Sequence, residues 1–148
     1  MAIYMLATGQ KQGAISGNVN ATGFTNQILV KSVQFGMGWP VSASTGLVTG
    51  KQVAKPIVVT KLLDKATPLL LTACINNESM KTVTISYIFE GASHTALVTV
   101  LLTNAMIQEY EHTAQDSGGT AESLTFNYQK MEFTWTDGGI TAAWDLTS

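Results

Sequence analysis

Charged residues are scarce in this sequence. Asp, Glu, Lys and Arg make up 12% of its 148 residues, whereas apolar residues make up 45%. A typical globular domain is about 25% charged. So little charge covers a monomer poorly, and we expect part of the surface to be buried against a partner, although Thr, Ser and Asn could also provide the cover. The eight basic residues are scattered and the net charge is −2, so nucleic acid is not an expected partner.

Cysteine pairs and long apolar runs are absent as well. The single cysteine, Cys74, excludes an intrachain disulfide, and its apolar neighbours predict a buried thiol. No segment approaches the run of about 18 apolar residues that a membrane-spanning helix needs, so membrane insertion is not expected. Residues 1–7 lack the basic start of a signal peptide and predict a first strand instead.

The dominant apolar period is two, which indicates β structure. Residues 82–89 alternate cleanly, whereas residues 96–102 scarcely alternate, which predicts a strand covered on both faces, one of them by another subunit. A bulge near Gln129 and Lys130 would keep the apolar side chains on both sides of it inward, and Gly138 and Gly139 predict a tight hairpin. Further strands are predicted at residues 2–7, 27–35, 53–62, 105–111, 123–135 and 140–145. Together they indicate one mainly β domain over residues 1–148, an antiparallel barrel or two-sheet sandwich.

One short helix is predicted at about residues 67–76, flanking the sheet. Thr67 can cap its first turn, Pro68 suits the first helical position, and Asn76 with Asn77 can end it in a left-handed turn. Thr72 is the only polar residue between these limits, so almost every side of the helix is apolar. We therefore expect one face on the sheet and another on a second subunit, with deep burial in a monomer as the alternative. The candidate interface residues are Leu69, Leu70, Thr72 and Ala73.

Candidates for catalysis are thin. Ser93 and His94 are adjacent in a predicted turn, and nothing supplies the third group of a catalytic triad. Glu109 and Glu111 share one face of a predicted strand while His112 points to the other, so they do not form a metal set. Glycines at phosphate-binding spacing are also missing. We therefore predict no enzyme activity, no metal and no cofactor.

The stretch TKLLDKATPLLLTAC at residues 60–74 resembles the most recognisable segment of the Hcp family, the tube proteins of bacterial type VI secretion systems. Gly50-Lys51 and Lys55-Pro56 are similar to the family's upstream Gly-Lys and Lys-Pro pairs. The opening MAIYM and the segment ESLTFNYQKMEFTW resemble its first and closing strands. The sequence departs from the family at Gln52 and Ala54, where many members carry Arg and His, so contacts between stacked rings can differ here.

The resemblance implies a ring-forming β-barrel with one flanking helix. Six copies would close a ring, and rings would stack into a tube inside a contractile sheath. The implied partners are other copies of the chain, the spike protein, the sheath, the baseplate, and effector proteins carried in the ring lumen. The tube would lie in the cytoplasm of a Gram-negative cell before firing and would then be secreted or injected without a signal peptide.

Two surfaces can be assigned roles on this basis. Ser32 and Gln34 alternate with Val33 and Phe35, so we expect the polar pair to face the lumen and the apolar pair to face the core. A Gly-, Ser- and Thr-rich stretch follows and is our candidate for contact between rings, where ordering on assembly would cost entropy. Its candidate residues are Val41, Ser44, Thr45, Leu47 and Thr49.

Two other readings remain open at this point. A tail-tube protein of a phage or another contractile injection system would share the ring-forming barrel. A monomeric β-sandwich module for carbohydrate would instead display Trp39 and Trp144 on an exposed platform. Exposed tryptophans and a monomeric mass would favour the second alternative.

Overall fold

The computed structural model describes residues 2–21, 23–50, 52–88, 98–136 and 138–145. Within these ranges the chain forms eleven strands and one helix. Their bounds are β1 Ala2–Gly9, β2 Gly13–Ile15, β3 Ile28–Gln34, β4 Met37–Gly38, β5 Val53–Ala54, β6 Ile57–Lys61, α1 Thr67–Ile75, β7 Ser79–Ile88, β8 Val98–Ala114, β9 Thr120–Asn127, β10 Lys130–Trp135 and β11 Ile140–Asp145. The prediction of a mainly β chain with one short helix is confirmed.

Six antiparallel strands close into a barrel. Their order is β8-β7-β1-β3-β6-β9, and β9 pairs back with β8. The hairpin β10-β11 extends the sheet from β8, β2 pairs with β1, and β4 pairs with β5 in a separate two-stranded sheet. Closure leaves the six barrel strands without a free edge, so the barrel alternative is confirmed over the open sandwich.

Strand β8 runs for 17 residues and serves two parts of the sheet. Its first part pairs with β7 and β10, and its second part pairs with β9. The change of partner lies near Asn104, whose φ of 52° is in the left-handed region that Asn tolerates better than most residues. The sequence predicted two strands here, and the structure shows one continuous strand. Of the earlier prediction at residues 96–102, only residues from 98 onward are described.

Two other predicted strands are divided. The segment 53–62 is interrupted at Pro56, which has no N–H for a sheet hydrogen bond, so β5 pairs with β4 while β6 joins the barrel. The segment 123–135 is interrupted at Tyr128 and Gln129, where the predicted change of inward parity occurs. Leu124 lies inward before the interruption and Met131 after it, so the predicted change of inward parity is confirmed, but Trp135 at the end of β10 is 41% exposed and does not lie inward as predicted.

A bulge also resets β3. The pairing with β6 shifts between Val30 and Ser32, so Val30 lies in the core and Val33, three residues later, also packs against it. The barrel core is apolar and contains side chains from all six barrel strands. Helix α1 adds Leu70 and Ala73 to it, and Ala66 joins them from just before the helix.

Helix α1 begins and ends close to its predicted limits. Pro68 occupies its first turn, and Asn77, with φ 51°, follows its end in the left-handed region. The predicted cap by Thr67 is wrong, because Ala66 holds the cap position and the Thr67 hydroxyl bonds elsewhere. No helix in the described ranges is both long and apolar enough to cross a membrane.

Candidate assembly surfaces and their buried anchors

Three polar residues lie side by side across adjacent strands at one end of the barrel. Lys61 on β6 pairs with Glu122 on β9, and Glu122 pairs with His112 on β8. Lys61 follows Ile57 and Val59 in inward parity, just as Glu122 precedes Leu124. The apolar layers of the barrel therefore end in a layer of polar side chains.

Both side chains of the central pair are fully buried, and their polar atoms have several partners. The Lys61 ammonium donates to the Glu122 carboxylate, lies 3.0 Å from Asp64 Oδ1 and donates to Thr67 Oγ1 at 3.2 Å. Thr67 Oγ1 donates to Glu122 Oε2 at 2.8 Å, and the Tyr110 hydroxyl donates to Glu122 Oε1. We call these five residues the charged layer. Its hydrogen bonds meet the requirement that a buried ion pair be well satisfied.

The surroundings of Glu122 favour its charged form. Burial by itself would raise the pKa of this carboxyl, but hydrogen bonds from Lys61, Tyr110 and Thr67 and the Lys61 charge outweigh burial and lower it. The pKa of Tyr110 is raised, first by burial and then by its bond to the Glu122 carboxylate. Glu122 is therefore ionised in the charged layer, and Tyr110 keeps its hydroxyl proton, which it donates to the Glu122 carboxylate.

A second buried carboxylate lies beyond the other end of α1. Glu78 accepts backbone N–H bonds from Lys11 and Gln12, both at 2.9 Å, and the Gln12 side chain donates to Leu69 O at 3.0 Å. The Gln12 backbone bond is the largest cause of a lowered pKa at Glu78, and it outweighs burial. Thr67 at one end and Glu78 at the other thus fasten the helix across the ends of the strands.

Three of the motif residues that carried the resemblance, Lys61, Asp64 and Thr67, are therefore structural. They connect the end of β6 to the start of α1 through one network. Sequence reasoning missed Glu122 as their partner, although its inward parity with Leu124 was visible. It also missed Glu78, for which the sequence carries no local signal.

The described structure does not bring the residues considered for catalysis or metal binding together into a site. His112 Nδ1 lies 3.7 Å from Glu122 Oε1, while Glu109 and Glu111 pair with β9 on the opposite parity, as predicted. Across the described residues, no group of three or more His, Cys, Asp or Glu side chains could hold a metal ion. The predicted turn pair Ser93 and His94 lies outside the described residues.

An apolar hairpin projects from the barrel between β3 and β6. It consists of β4, β5 and the described residues between them (39–50 and 52), and we call it the arm. Val41 bridges to Val48, Ser42 N donates to Leu47 O at 2.8 Å, and Thr49 N donates to Pro40 O at 2.8 Å. The stretch whose ordering on assembly was expected to cost entropy therefore forms a hydrogen-bonded turn within the single chain.

The arm carries many exposed apolar side chains. Leu47 is 67% exposed at its tip, and the predicted stacking residues Ser44, Thr45 and Thr49 are exposed around it. The other exposed apolar residues of the arm are Met37, Trp39, Val41, Val48 and Val53. A patch of this kind on one element is typical of an interaction surface.

Helix α1 shows a mixed surface. Of the four predicted interface residues, Leu69 and Thr72 are exposed, whereas Leu70 and Ala73 are buried in the core of their own chain. The prediction that Leu70 and Ala73 contact a second subunit is therefore corrected, because a side chain packed inside its own barrel offers no surface to a second copy. Leu71 and Ile75, which the prediction omitted, are exposed instead.

The pair assigned to the lumen lies on the outside of the barrel. Ser32 and Gln34 are exposed on β3, while Val33 and Phe35 pack against the core. The alternation predicted for this strand is therefore present. Its exposed face combines polar side chains with Lys31, which is also exposed.

A groove of about 390 Å³ lies at the end of β3 and β6 that is opposite to the arm. Leu29 and Tyr4, paired neighbours on β3 and β1, form one side, and Leu62, Leu63 and Asp64 form another. Residues 18–21 complete it. We call this surface the groove.

The two tryptophans proposed for a carbohydrate platform have different environments. Trp39 is 54% exposed on the arm, whereas Trp144 packs against the core with its ring edge on Tyr128, at 5.6 Å between centroids. They therefore do not form the paired exposed platform that a carbohydrate-binding module requires.

Comparison with known proteins gives one consistent result. Residues 4–135 match the sequence family described as "Type VI secretion system effector, Hcp". The "Major exported protein" of Pseudomonas aeruginosa is 32% identical, and the alignment covers 98% of this chain and 95% of that protein.

Solved structures agree in fold. Secreted protein Hcp3 from Pseudomonas aeruginosa superposes with a TM-score of 0.78 at 28% identity, covering 97% of this chain and 98% of that one. A mutant of Hcp1 from E. coli EAEC 042 gives a TM-score of 0.88 at 20% identity, with 99% of each chain covered. At that identity the second similarity bears on the fold alone.

Proposed function

Because the chain belongs to the Hcp family of type VI secretion proteins, we propose that it is a structural tube subunit whose six copies close a ring and whose rings stack into a tube. Proteins of this family are secreted structural proteins that form ring assemblies. The family membership favours this role over a phage tail tube. The chain acts as a building block and carries out no reaction.

The arm is the observation that carries the proposal. Its exposed apolar side chains have no cover within the described chain, and a ring or stack of identical copies provides one. Closed rings and stacks use heterologous contacts, in which two different patches of the same chain meet. The exposed side of α1, with Leu69, Leu71, Thr72 and Ile75, supplies a second patch for the contact between ring neighbours.

The remaining roles follow from the same assembly. Ser32 and Gln34 face the lumen, where polar side chains suit transient contact with effector proteins. The stacking residues Val41, Ser44, Thr45, Leu47 and Thr49 lie between rings. The tube assembles in the cytoplasm on the baseplate and is enclosed by the sheath. It leaves the cell with the spike, which agrees with the name of the relative, an exported protein.

Light scattering on a sizing column, followed by negative-stain images of the peak, tests the proposal. A mass six times that of one chain with ring-shaped particles is the expected result. A monomer at every concentration would overturn the ring and revive a monomeric binding module.

The lumen assignment has its own measurement. In a Cys74→Ala background, Ser32→Cys is labelled with a maleimide gold cluster and imaged as rings. Gold on Ser32→Cys should lie at the ring centre. The matched control is Ile140→Cys, which is 69% exposed on β11, and the radial position of its gold is compared with that of Ser32→Cys. Gold from Ser32→Cys on the outer rim would contradict the lumen assignment.

A further inference from the structure

Two apolar surfaces of this chain lie at opposite ends of the same pair of strands. Strand β3 ends at Gln34 and leads into the arm, which returns to β6 at Ile57. At the other end of the pair, Leu29 lies near the start of β3 and Leu62 follows β6. The register Val30 to Lys61 and Gln34 to Val58 fixes this antiparallel arrangement. The arm and the groove are thus separated by the full length of the strand pair.

The groove is apolar and built on fixed elements. Leu29, Leu62 and Leu63 are exposed in it, between 41% and 53%. The segment that carries Leu62 and Leu63 runs directly from Lys61 to Asp64, which are joined by an ion pair of 3.0 Å. The charged layer therefore holds this side of the groove in place before any partner arrives.

The arm has the size and chemistry to fill such a groove. Leu47 and Val48 lie at its hydrogen-bonded tip and are mostly exposed. The exposed parts of the six apolar side chains on the arm amount to on the order of 500 Å². A standard protein interface buries about 800 Å² on each partner, so the arm supplies a large part of such a contact but not all of it.

The positions of the arm and the groove on the chain indicate that a second copy of the chain occupies the groove. A groove on one end and a complementary projection on the other allow one copy to follow another in the same direction, which is a heterologous contact that repeats without closing. A two-fold dimer would need the arm and the groove of one chain to lie on the same face, so that both reciprocal contacts form at once, whereas here they lie at opposite ends of the strand pair. An unrelated partner would leave the arm uncovered.

We propose that the groove formed by Tyr4, Leu29, Leu62 and Leu63 receives the arm tip, Leu47 and Val48, of a second copy of this chain in the next ring. This inference rests on the proposed tube function and names the receiving surface of the contact between rings. Six such contacts form at each junction between two rings.

Disulfide trapping tests the contact. The variant Cys74→Ala, Leu47→Cys, Leu63→Cys has one engineered thiol on the arm tip and one in the groove. The two positions lie beyond opposite ends of β6, which spans about 13 Å, so they are outside the Cα separation of about 7 Å within which one chain could form the bond. Any cross-link must therefore join two copies.

Concentrated rings of this variant are oxidised and run on a denaturing gel without reductant. The expected result is a ladder that extends beyond six copies, because each copy is linked to one in the next ring. A ladder that stops at six would place the contact between neighbours in one ring and overturn the proposal. Stacks visible in negative stain without any ladder would overturn it too.

A control pair of cysteines tests the specificity of the cross-link, and a separate measurement of ring formation tests the proposed function. Leu47→Cys with Ile140→Cys, in the same Cys74→Ala background, tests whether exposure alone gives cross-links, and it should yield at least tenfold less. Equal yields would overturn the specific contact. Absence of rings or stacks by light scattering and imaging would instead count against the proposed function itself.

Discussion

Lys61 and Glu122 are direct cross-strand partners whose charged side chains form an ion pair inside the barrel, both fully buried. Removing Lys61 leaves the buried Glu122 carboxylate without a cation, and removing Glu122 leaves the Lys61 ammonium with only Asp64 as a counterion. Removing both takes both charges of the pair out of the barrel, and Asp64 loses its Lys61 partner. The stability effects of the two changes should therefore be strongly coupled.

We predict that Lys61→Met and Glu122→Gln each lower the free energy of unfolding by about 3–5 kcal/mol. The double variant should lose less than the sum of the two by more than about 1 kcal/mol, because neither member of the pair is left buried without its counterion and the amide oxygen of Glu122→Gln can still accept from one of the two hydroxyls, Tyr110 or Thr67. Urea unfolding at one fixed protein concentration measures the cycle. Additive losses would contradict the pairing.

Acid should weaken the fold through Glu78 and Glu122. Both have a folded pKa below their ordinary value of about 4.5, so the stability they contribute is present above that pH and is lost as the pH falls through the lowered values. In that range the unfolded chain binds more protons at these two carboxyls than the folded chain does, so the free energy of unfolding should decline as the pH falls.

Variants separate this effect from general acid sensitivity. Glu78→Gln should flatten the decline in the free energy of unfolding below about pH 4.5, since one of the two groups no longer titrates. Glu132→Gln, at a partly exposed ion pair with Lys130, is the matched control and should keep the wild-type slope. Unfolding midpoints measured from pH 3 to pH 7 provide the comparison, and equal slopes for all three proteins would contradict the role of Glu78.

Local signals in the sequence sufficed for the helix and most strands. Pro68 and Asn77 mark the two ends of α1, and a period of two identifies β3 and β7. The bend after Phe126 followed from a change of inward parity alone. These features depend on neighbours in the sequence, so no knowledge of the tertiary fold was needed.

Partners distant in the chain account for what the sequence did not reveal. The Thr67 hydroxyl would ordinarily cap a helix, but it bonds Glu122, 55 residues away, so a tertiary contact replaces the local one. Leu70 and Leu69 are equally apolar, and only the position of the barrel decides which of them is buried. The placement of the groove opposite the arm likewise depends on how β3 pairs with β6.

Gly9 should not tolerate a side chain. A Cβ at this position would lie 2.1 Å from Glu78 Oε2, and that carboxylate is fixed by the backbone N–H groups of Lys11 and Gln12. We predict that Gly9→Ala lowers the free energy of unfolding by about 1–3 kcal/mol through overpacking. Gly38→Ala is the control, because nothing lies within 4 Å of its Cβ. Thermal unfolding of both variants checks this, and equal melting temperatures would argue against a fixed Glu78.

The two sides of α1 should respond differently to truncation. Leu70 is fully buried, so Leu70→Ala should lower the free energy of unfolding by about 2–5 kcal/mol. Leu69 is partly exposed, so Leu69→Ala should change it by no more than about 0.5 kcal/mol in the monomer.

If the exposed side of the helix contacts a ring neighbour, Leu69→Glu will release monomers at concentrations where the wild type remains a ring. Light scattering across a dilution series measures this, with Ile140→Glu as the exposed control. Intact Leu69→Glu rings at every concentration would remove the helix from the contact between subunits and leave the arm as the main assembly surface.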